Sequence, residues 1–266
     1  MKSFNDFTKS KNEDGIAYVD HAILRRPLRG KKSKNEDGIA YVDHAILRNP
    51  RKINESKNEN EHIGHSIEEI HDKLAEDHPY TEKEKKETQK YTRGSSNLNR
   101  NLYEHKMEDK VVPKEVKGDF DTHNIKSLDA AVEKHSLKHD LHVYSGVHFH
   151  PGRSSGMSGH IQLPAYTSSS ISKSVASHFA HSAGYSNPKE LTSNKDGENI
   201  KGHILHLHLK PGQKGAYIAP HSEYEEEREY TLPRNTRIKI NQKPTVHIDE
   251  DENRYHVWHG EVVPHK

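Results

Sequence analysis

Two glutamates one residue apart, Glu227 and Glu229, lie in the run Tyr224-Glu225-Glu226-Glu227-Arg228-Glu229-Tyr230-Thr231-Leu232-Pro233-Arg234. On an extended strand, side chains two apart share a face, so a strand over 227–232 puts both carboxylates together and turns Arg228 away. Carboxylates held side by side repel and titrate as a pair. Such a pair suits displacement at a glycosidic carbon: one stabilises a cationic sugar transition state, the other takes a proton from the incoming nucleophile. Taken alone, in a chain where 30% of residues are charged, Glu-x-Glu is more often an acidic surface strand.

The elements that must position the pair follow from periodicity. Ile63, Ile67, Ile70 and Leu74 recur at helical spacing, Ser66 with Glu69 forms a capping box, and Pro79 ends the run. A charged helix with a solvated face is predicted over 81–91. A third helix, capped by Ser95 or Ser96, runs through Leu98, Leu102 and Tyr103. Residues 113–121 read as a connector, and Ile125, Leu128, Ala131 and Val132 mark another helix. The period then becomes alternating, with strands at 141–147, 161–168, 204–209, 215–218, 227–232, 237–240 and 255–263, and a short helix over 172–181. Helices first and strands afterwards indicate an α+β fold.

Composition limits the alternatives. The 41 basic side chains nearly match the 40 acidic ones, so the chain as a whole is no polyanion binder, which argues against nucleic acid. There is no cysteine, which excludes disulfides, thiolate metal sites and a cysteine nucleophile. No apolar run reaches the roughly 18–20 residues of a membrane span, and the opening residues lack a secretory apolar stretch. Residues 9–25 (KSKNEDGIAYVDHAILR) recur unchanged at 32–48. Two copies are too few for a solenoid and fit a duplication in a flexible leader, 1–61, or a short motif presented twice for avidity. The expected domain then covers 62–266, helical over 62–138 and β-rich over 139–266.

Two further segments give the glutamates a context. Leu141-His142-Val143-Tyr144-Ser145-Gly146-Val147 is a strand ending in an aromatic-x-Gly turn, and Leu163-Pro164-Ala165-Tyr166-Thr167-Ser168-Ser169-Ser170-Ile171 ends in three hydroxyls ahead of a helix carrying Val175, Ala176 and Phe179. The order of these elements resembles the arginine–serine–glutamate class of mono-ADP-ribosyltransferases, the toxin-like exoenzymes and the tailed-phage enzymes that modify host proteins. The match covers roughly 91–240. It includes Tyr91-Thr92 and Ser95-Ser96-x-x-Asn99-x-x-Leu102, Ser168-Ser169-Ser170-Ile171 where the family has Ser-Thr-Ser-Leu, Glu227-x-Glu229, and Leu232-Pro233-Arg234.

That resemblance implies two small, mainly antiparallel sheets enclosing a cleft for NAD, the co-substrate, with no metal. Glu229 would stabilise the oxocarbenium ion as nicotinamide leaves, Ser168 would hold Glu229 and the ribose, and Glu227 would activate an arginine acceptor. Tyr144, Ser145, Gly146, Ser169, Ser170 and Phe179 would line the NAD site, and Tyr224 would recognise the target. The family usually has an arginine on the NAD phosphates where this chain has Ser145. Either another cation takes its place, Arg153 being nearest after the strand, or NAD binds weakly, or the domain is inactive. The phage resemblance points to a target protein such as host transcription or translation machinery, an infected bacterial cytoplasm as the setting, and packaging in the virion. The rival readings are a non-enzymatic virion or interaction scaffold and an NAD glycohydrolase.

Histidine is abundant, at 24 residues. His148-x-His150 and His206-x-His208, with His203 or His160 as a third ligand, have zinc-like spacing. Leu205, Leu207 and Leu209 alternate with the second pair as a buried face would, which leaves His206 and His208 on a solvated one. Trp258 and Phe179 read as core, with Phe179 also at the back of the cleft.

Overall fold

The computed structural model describes residues 17–18, 65–107, 111–186, 200–241 and 243–263. The predicted leader, with its duplication, lies outside these apart from Ala17–Tyr18 (β1), which runs parallel to the sheet edge opposite Ile161 and Gln162.

Three helices come next, α1 (Ile67–Asp77), α2 (Glu82–Arg93) and α3 (Ser96–Met107). The Ser66/Glu69 capping box opens α1 as expected, and a second box, Thr81 with Glu84, opens α2. The α2 face is not simply solvated. Glu87, Thr88, Tyr91 and Thr92 are buried, because α2 packs on α4 (Ile125–Glu133). Helix α3 is capped from a distance: the Asp119 carboxylate accepts from the N–H groups of Ser96 (2.7 Å) and Asn97 (3.3 Å). Asp119 is held there because the expected connector is instead a hairpin, β2 (Glu115–Lys117) with β3 (Thr122–Asn124).

The remaining strands are β4 (Leu141–Val147), β5 (His160–Leu163), β6 (Thr167–Ser170), β7 (Ile200–Leu209), β8 (Ala216–Tyr217), β9 (Glu229–Leu232), β10 (Thr236–Ile240), β11 (Thr245–Ile248) and β12 (Arg254–Val263). They form one path, β1-β5-β10-β12-β7-β4-β6-β9-β8, with β11 on β12. Only β1–β5 and β7–β12 are parallel. The two expected sheets are the halves of this path, joined between β4 and β6 by the single registered pair Tyr144 and Ser170. The one predicted strand over 161–168 is divided by Pro164 and its neighbours, sending β5 to β10 and β6 to β9 at opposite ends of the path.

Leu141, Val143, Leu205, Leu207, Leu209 and Trp258 bury one face of the larger half together with Ile67 and Leu74 of α1. Helix α6 (Lys173–Ser186) covers the other face through Ala176 and Ala180 against Tyr144, Ile204 and Tyr255. Gly146 is therefore not a turn residue but lies inside β4, under that helix. A Cβ there would stand 2.4 Å from Ala180 N and 2.5 Å from Ala176 O. The third core joins α2, α3 and α4 through Tyr91, Leu98, Leu102, Leu128 and Val132, and includes Tyr166 and Ile218 beside the smaller half. Each fully buried Leu or Ile contributes about 1.5–3 kcal/mol.

Candidate active site

A cleft of about 660 Å³, open mouth included, lies where the two halves of the sheet meet. Its lining contains Tyr144, Ser145, Gly146, Ser168, Ser169, Ser170, Phe179, Glu227 and Glu229, the greater part of the expected site. The glutamates are 5% and 3% exposed.

They do not share a strand. Glu227 ends a 3-10 turn, Glu225–Glu227, and β9 starts at Glu229. Between them Arg228 takes a left-handed conformation, φ 48°, which costs a non-glycine residue of order 1 kcal/mol. Its carbonyl accepts from Ile171 N (3.3 Å) and its guanidinium reaches Glu68 Oε1 (2.9 Å), so the chain on both sides holds the kink. Ser170 Oγ donates to Glu227 O (2.7 Å) and fixes the turn against β6. The carboxylates thus converge on the cleft through a turn rather than through strand alternation.

Thr231 Oγ1 donates to Glu229 Oε1 at 3.0 Å from the same strand face. Ser168, opposite Thr231 on β6, has its Oγ 3.0 Å from the Tyr91 hydroxyl, which in turn accepts from Asn99 Nδ2 (3.3 Å). This chain ties α2 and α3 to the cleft. Tyr91 packs edge-on to Tyr166, whose hydroxyl donates to Asp129 Oδ1 (2.6 Å), and Arg234 clamps the same carboxylate at 2.8 and 2.6 Å. Burial, and then the Asp129 charge, hold the Tyr166 phenol well above its ordinary range. Leu232-Pro233-Arg234 therefore serves as a strut. Sequence reading did not assign Tyr91, Asn99, Tyr166, Thr231, Val175 or Ala176 to the site. Thr231 was accessible to it, because it stands two residues from Glu229 on an extended strand.

Of the other expected residues, Ser145 lines the cleft, whereas Arg153 and Tyr224 do not. Ser145 Oγ donates to Ser168 O (2.8 Å) and stitches β4 to β6. Arg153 does not line the cleft. It belongs to α5 (Pro151–Ser155), which packs on β5 and β10, beyond β12 and β7 from the glutamates. Burial, then the Arg153 charge, lower the His150 pKa to about 4. Tyr224 stands just outside the lining and carries the turn: its carbonyl accepts from Glu227 N (3.1 Å). Among the described residues that line the cleft there is no Lys or Arg.

The histidines also depart from expectation. His206 is 6% exposed rather than solvated. Its Nε2 meets His142 Nδ1 and its Nδ1 meets His259 Nδ1, each at 2.8 Å, and Thr245 Oγ1 lies 2.9 Å from His259 Nε2. His208 stacks on His142 and reaches Asp140 at 2.8 Å. Among the described residues no group of three or more His, Asp or Glu could hold a metal ion. No helix among them is long and apolar enough to cross a membrane.

A mainly antiparallel sheet split beside a helical layer, with two buried glutamates at the split, is an architecture found in solved ADP-ribosyltransferase toxins. Plx2a, an ADP-ribosyltransferase toxin from Paenibacillus larvae, superimposes with a TM-score of 0.50 at 18% identity, over 79% of this chain and 99% of the other. The C3 exoenzyme of Clostridium limosum gives 0.50 at 16%, over 80% and 98%. At such identities the likeness concerns the fold alone. The chain itself belongs to the ADP-ribosyltransferase exoenzyme family, which it matches over residues 51–261. It is also 31% identical over 116 residues to NAD(+)--arginine ADP-ribosyltransferase EFV of Enterococcus faecalis (strain ATCC 700802 / V583). That match covers 44% of this chain and 21% of the relative, so the chain spans about a fifth of it. NAD is the co-substrate of the family's reaction.

Proposed function

We propose that the cleft transfers ADP-ribose from NAD to an arginine side chain of a protein target. The carrying observation is the convergence of Glu227 and Glu229, both buried, on one cavity whose other walls are serine hydroxyls and the apolar patch of Gly146, Val175, Ala176 and Phe179. The apolar wall suits nicotinamide. Glu229, oriented by Thr231, stabilises positive charge on the ribose as the C1′–nitrogen bond breaks and nicotinamide leaves with the electron pair. The acceptor nitrogen then bonds C1′ and its proton passes to Glu227. A guanidinium, always protonated in water, needs such a base to become nucleophilic. Arginine is supported by the acid at Glu227 and by the arginine specificity in the name of the enterococcal relative.

Incubation with labelled NAD and a cell lysate tests this. Labelled protein, with ADP-ribose localised to arginine by mass spectrometry and competed by free arginine, is the expected result. Free ADP-ribose without labelled protein would convert the reading to NAD hydrolysis. No nicotinamide release would leave a scaffold and end the proposal. Run on lysates of several bacteria, the same assay names the target and tests the suggested transcription or translation machinery. Infected-cell and purified-particle proteomics test the phage setting.

A further inference from the structure

We propose that Phe120 is the platform on which the adenine of NAD stacks, an inference that rests on the NAD reading above. The cleft is continuous beyond the glutamates. From Ser168 the hydrogen-bonded Tyr91 leads to Asn99, and one helical turn back along α3 the lining continues with Ser96 and Ser95. A dinucleotide with its reacting ribose at Glu229 is far longer than the nicotinamide end and extends along this wall. The next residue upstream is Gly94, and there the Phe120 ring lies. A Cβ on Gly94 would stand 2.8 and 3.0 Å from two ring carbons and 2.7 Å from Asp119 Cβ, so the missing side chain is what lets the hairpin tip seat.

Singly exposed apolar residues are common and need no explanation by themselves. Phe120 differs in being 75% exposed on a turn that is pinned on every side. Asp119 caps α3, Gly118 N donates to Asp121 O (2.7 Å), and Asp119 N reaches Gly94 O (3.4 Å). Arg93 joins Asp121 (3.4 Å) to Glu223 (2.8 Å), so the hairpin and the turn bearing Glu227 share one rim. The rings inside the cleft are otherwise engaged. Tyr144 is buried between His206 and Lys173, and Tyr166 is buried against Tyr91 and Arg234. Phe179 belongs to the apolar patch assigned to nicotinamide. The exposed ring at the other end of the wall is Phe120, held rigid and open to a base.

Stacking of a base on an aromatic side chain typically changes affinity about tenfold. Phe120→Ala is expected to weaken ADP-ribose binding by about tenfold and to raise the KM for NAD by a similar factor. It should leave kcat for nicotinamide release and inhibition by free nicotinamide unchanged. Phe120→Trp should retain affinity, and its fluorescence should respond to ADP-ribose, with Phe120→Ala as the blank for Trp258. Unchanged ADP-ribose affinity in Phe120→Ala would overturn the proposal. So would a variant whose only defect is a raised KM for a protein acceptor, which would make the ring a target contact. Because ADP-ribose binding needs no turnover, wild-type protein that binds ADP-ribose but releases no nicotinamide would refute the transferase reading and still decide the role of Phe120.

Discussion

The cleft and the histidine ladder are two rows of polar side chains in one sheet, and both touch Tyr144. In the ladder, His142, His206, His259 and Thr245 meet one another, so neutral rings can each donate once and accept once along the chain. In the cleft, Glu227 and Glu229 face a cavity. Polar side chains presented by one sheet and its turns are structural where the partner is another side chain and chemical where it is space for a substrate. Spacing alone does not distinguish the cases. What does is what meets the row: the His259 ring and Thr245 hydroxyl beyond His206, and an open cavity beside Glu229.

The largest effect should come from removing the carboxylate assigned to the transition state. Glu229→Gln is expected to lower both transfer and NAD hydrolysis by at least about a hundredfold, read as nicotinamide release. Glu227→Gln should lower transfer to protein by about a hundredfold while NAD hydrolysis persists. Equal loss of both activities in the two variants would merge the assigned roles and break the division of labour within the cleft.

Much of this was legible beforehand, and the failures share a cause. The α1 capping box, the β4 strand, the helix after the serines and the glutamate pair all follow from local patterns. The helix runs to Ser186 and the Glu227–Glu229 convergence arises from a turn, but the same residues are involved. What escaped was set by contacts distant in sequence. Asp119 caps α3 from more than 20 residues away, and Tyr91 meets Ser168 across 77. Thr245–Ile248 carries strand-forming residues but is only four residues long, and among the described residues it pairs only along β12. His206 looked solvated because alternation with leucines defines two faces without saying what lies above the second. Nearness in sequence points to Arg153, but residues 148–159 carry the chain away from the cleft to the far end of the sheet.

Smaller effects sharpen the contrast. Thr231→Val removes the hydroxyl from Glu229 and should lower kcat by about tenfold, the loss of a hydrogen bond to a charged group in a buried site, with Thr231→Ser restoring it. A stability change without a kcat change would reassign Thr231 to the scaffold. His259→Ala takes away the ring that meets His206 Nδ1 and should lower unfolding free energy by about 1–2 kcal/mol in denaturant titration. Its kcat for nicotinamide release should be unchanged, because His259 is outside the cleft. A fall in kcat with stability intact would show that the ladder takes part in the chemistry.

A further contrast lies in acid stability. His150 touches His203 and Trp258 on the larger half of the sheet, and its pKa is lowered to about 4 from 6.5, first by burial and then by the Arg153 charge. Burial lowers His78 and His123 in the same direction. Between pH 6.5 and 4 the unfolded chain therefore holds more protons than the folded one, so stability rises with pH across that window and is lost as the solution is acidified through it. Thermal unfolding midpoints should be flat above about pH 7 and fall below about pH 6.5. His150→Gln should make that descent shallower without altering the plateau. Arg153→Gln should also make it shallower, by less, since the guanidinium is the second cause and not the first. NAD hydrolysis measured well below the transition in both variants should match the wild type, because α5 packs against β5 and β10 while the glutamates stand across β12 and β7. A shared loss of hydrolysis would mean that the α5 end of the sheet influences the cleft across β12 and β7.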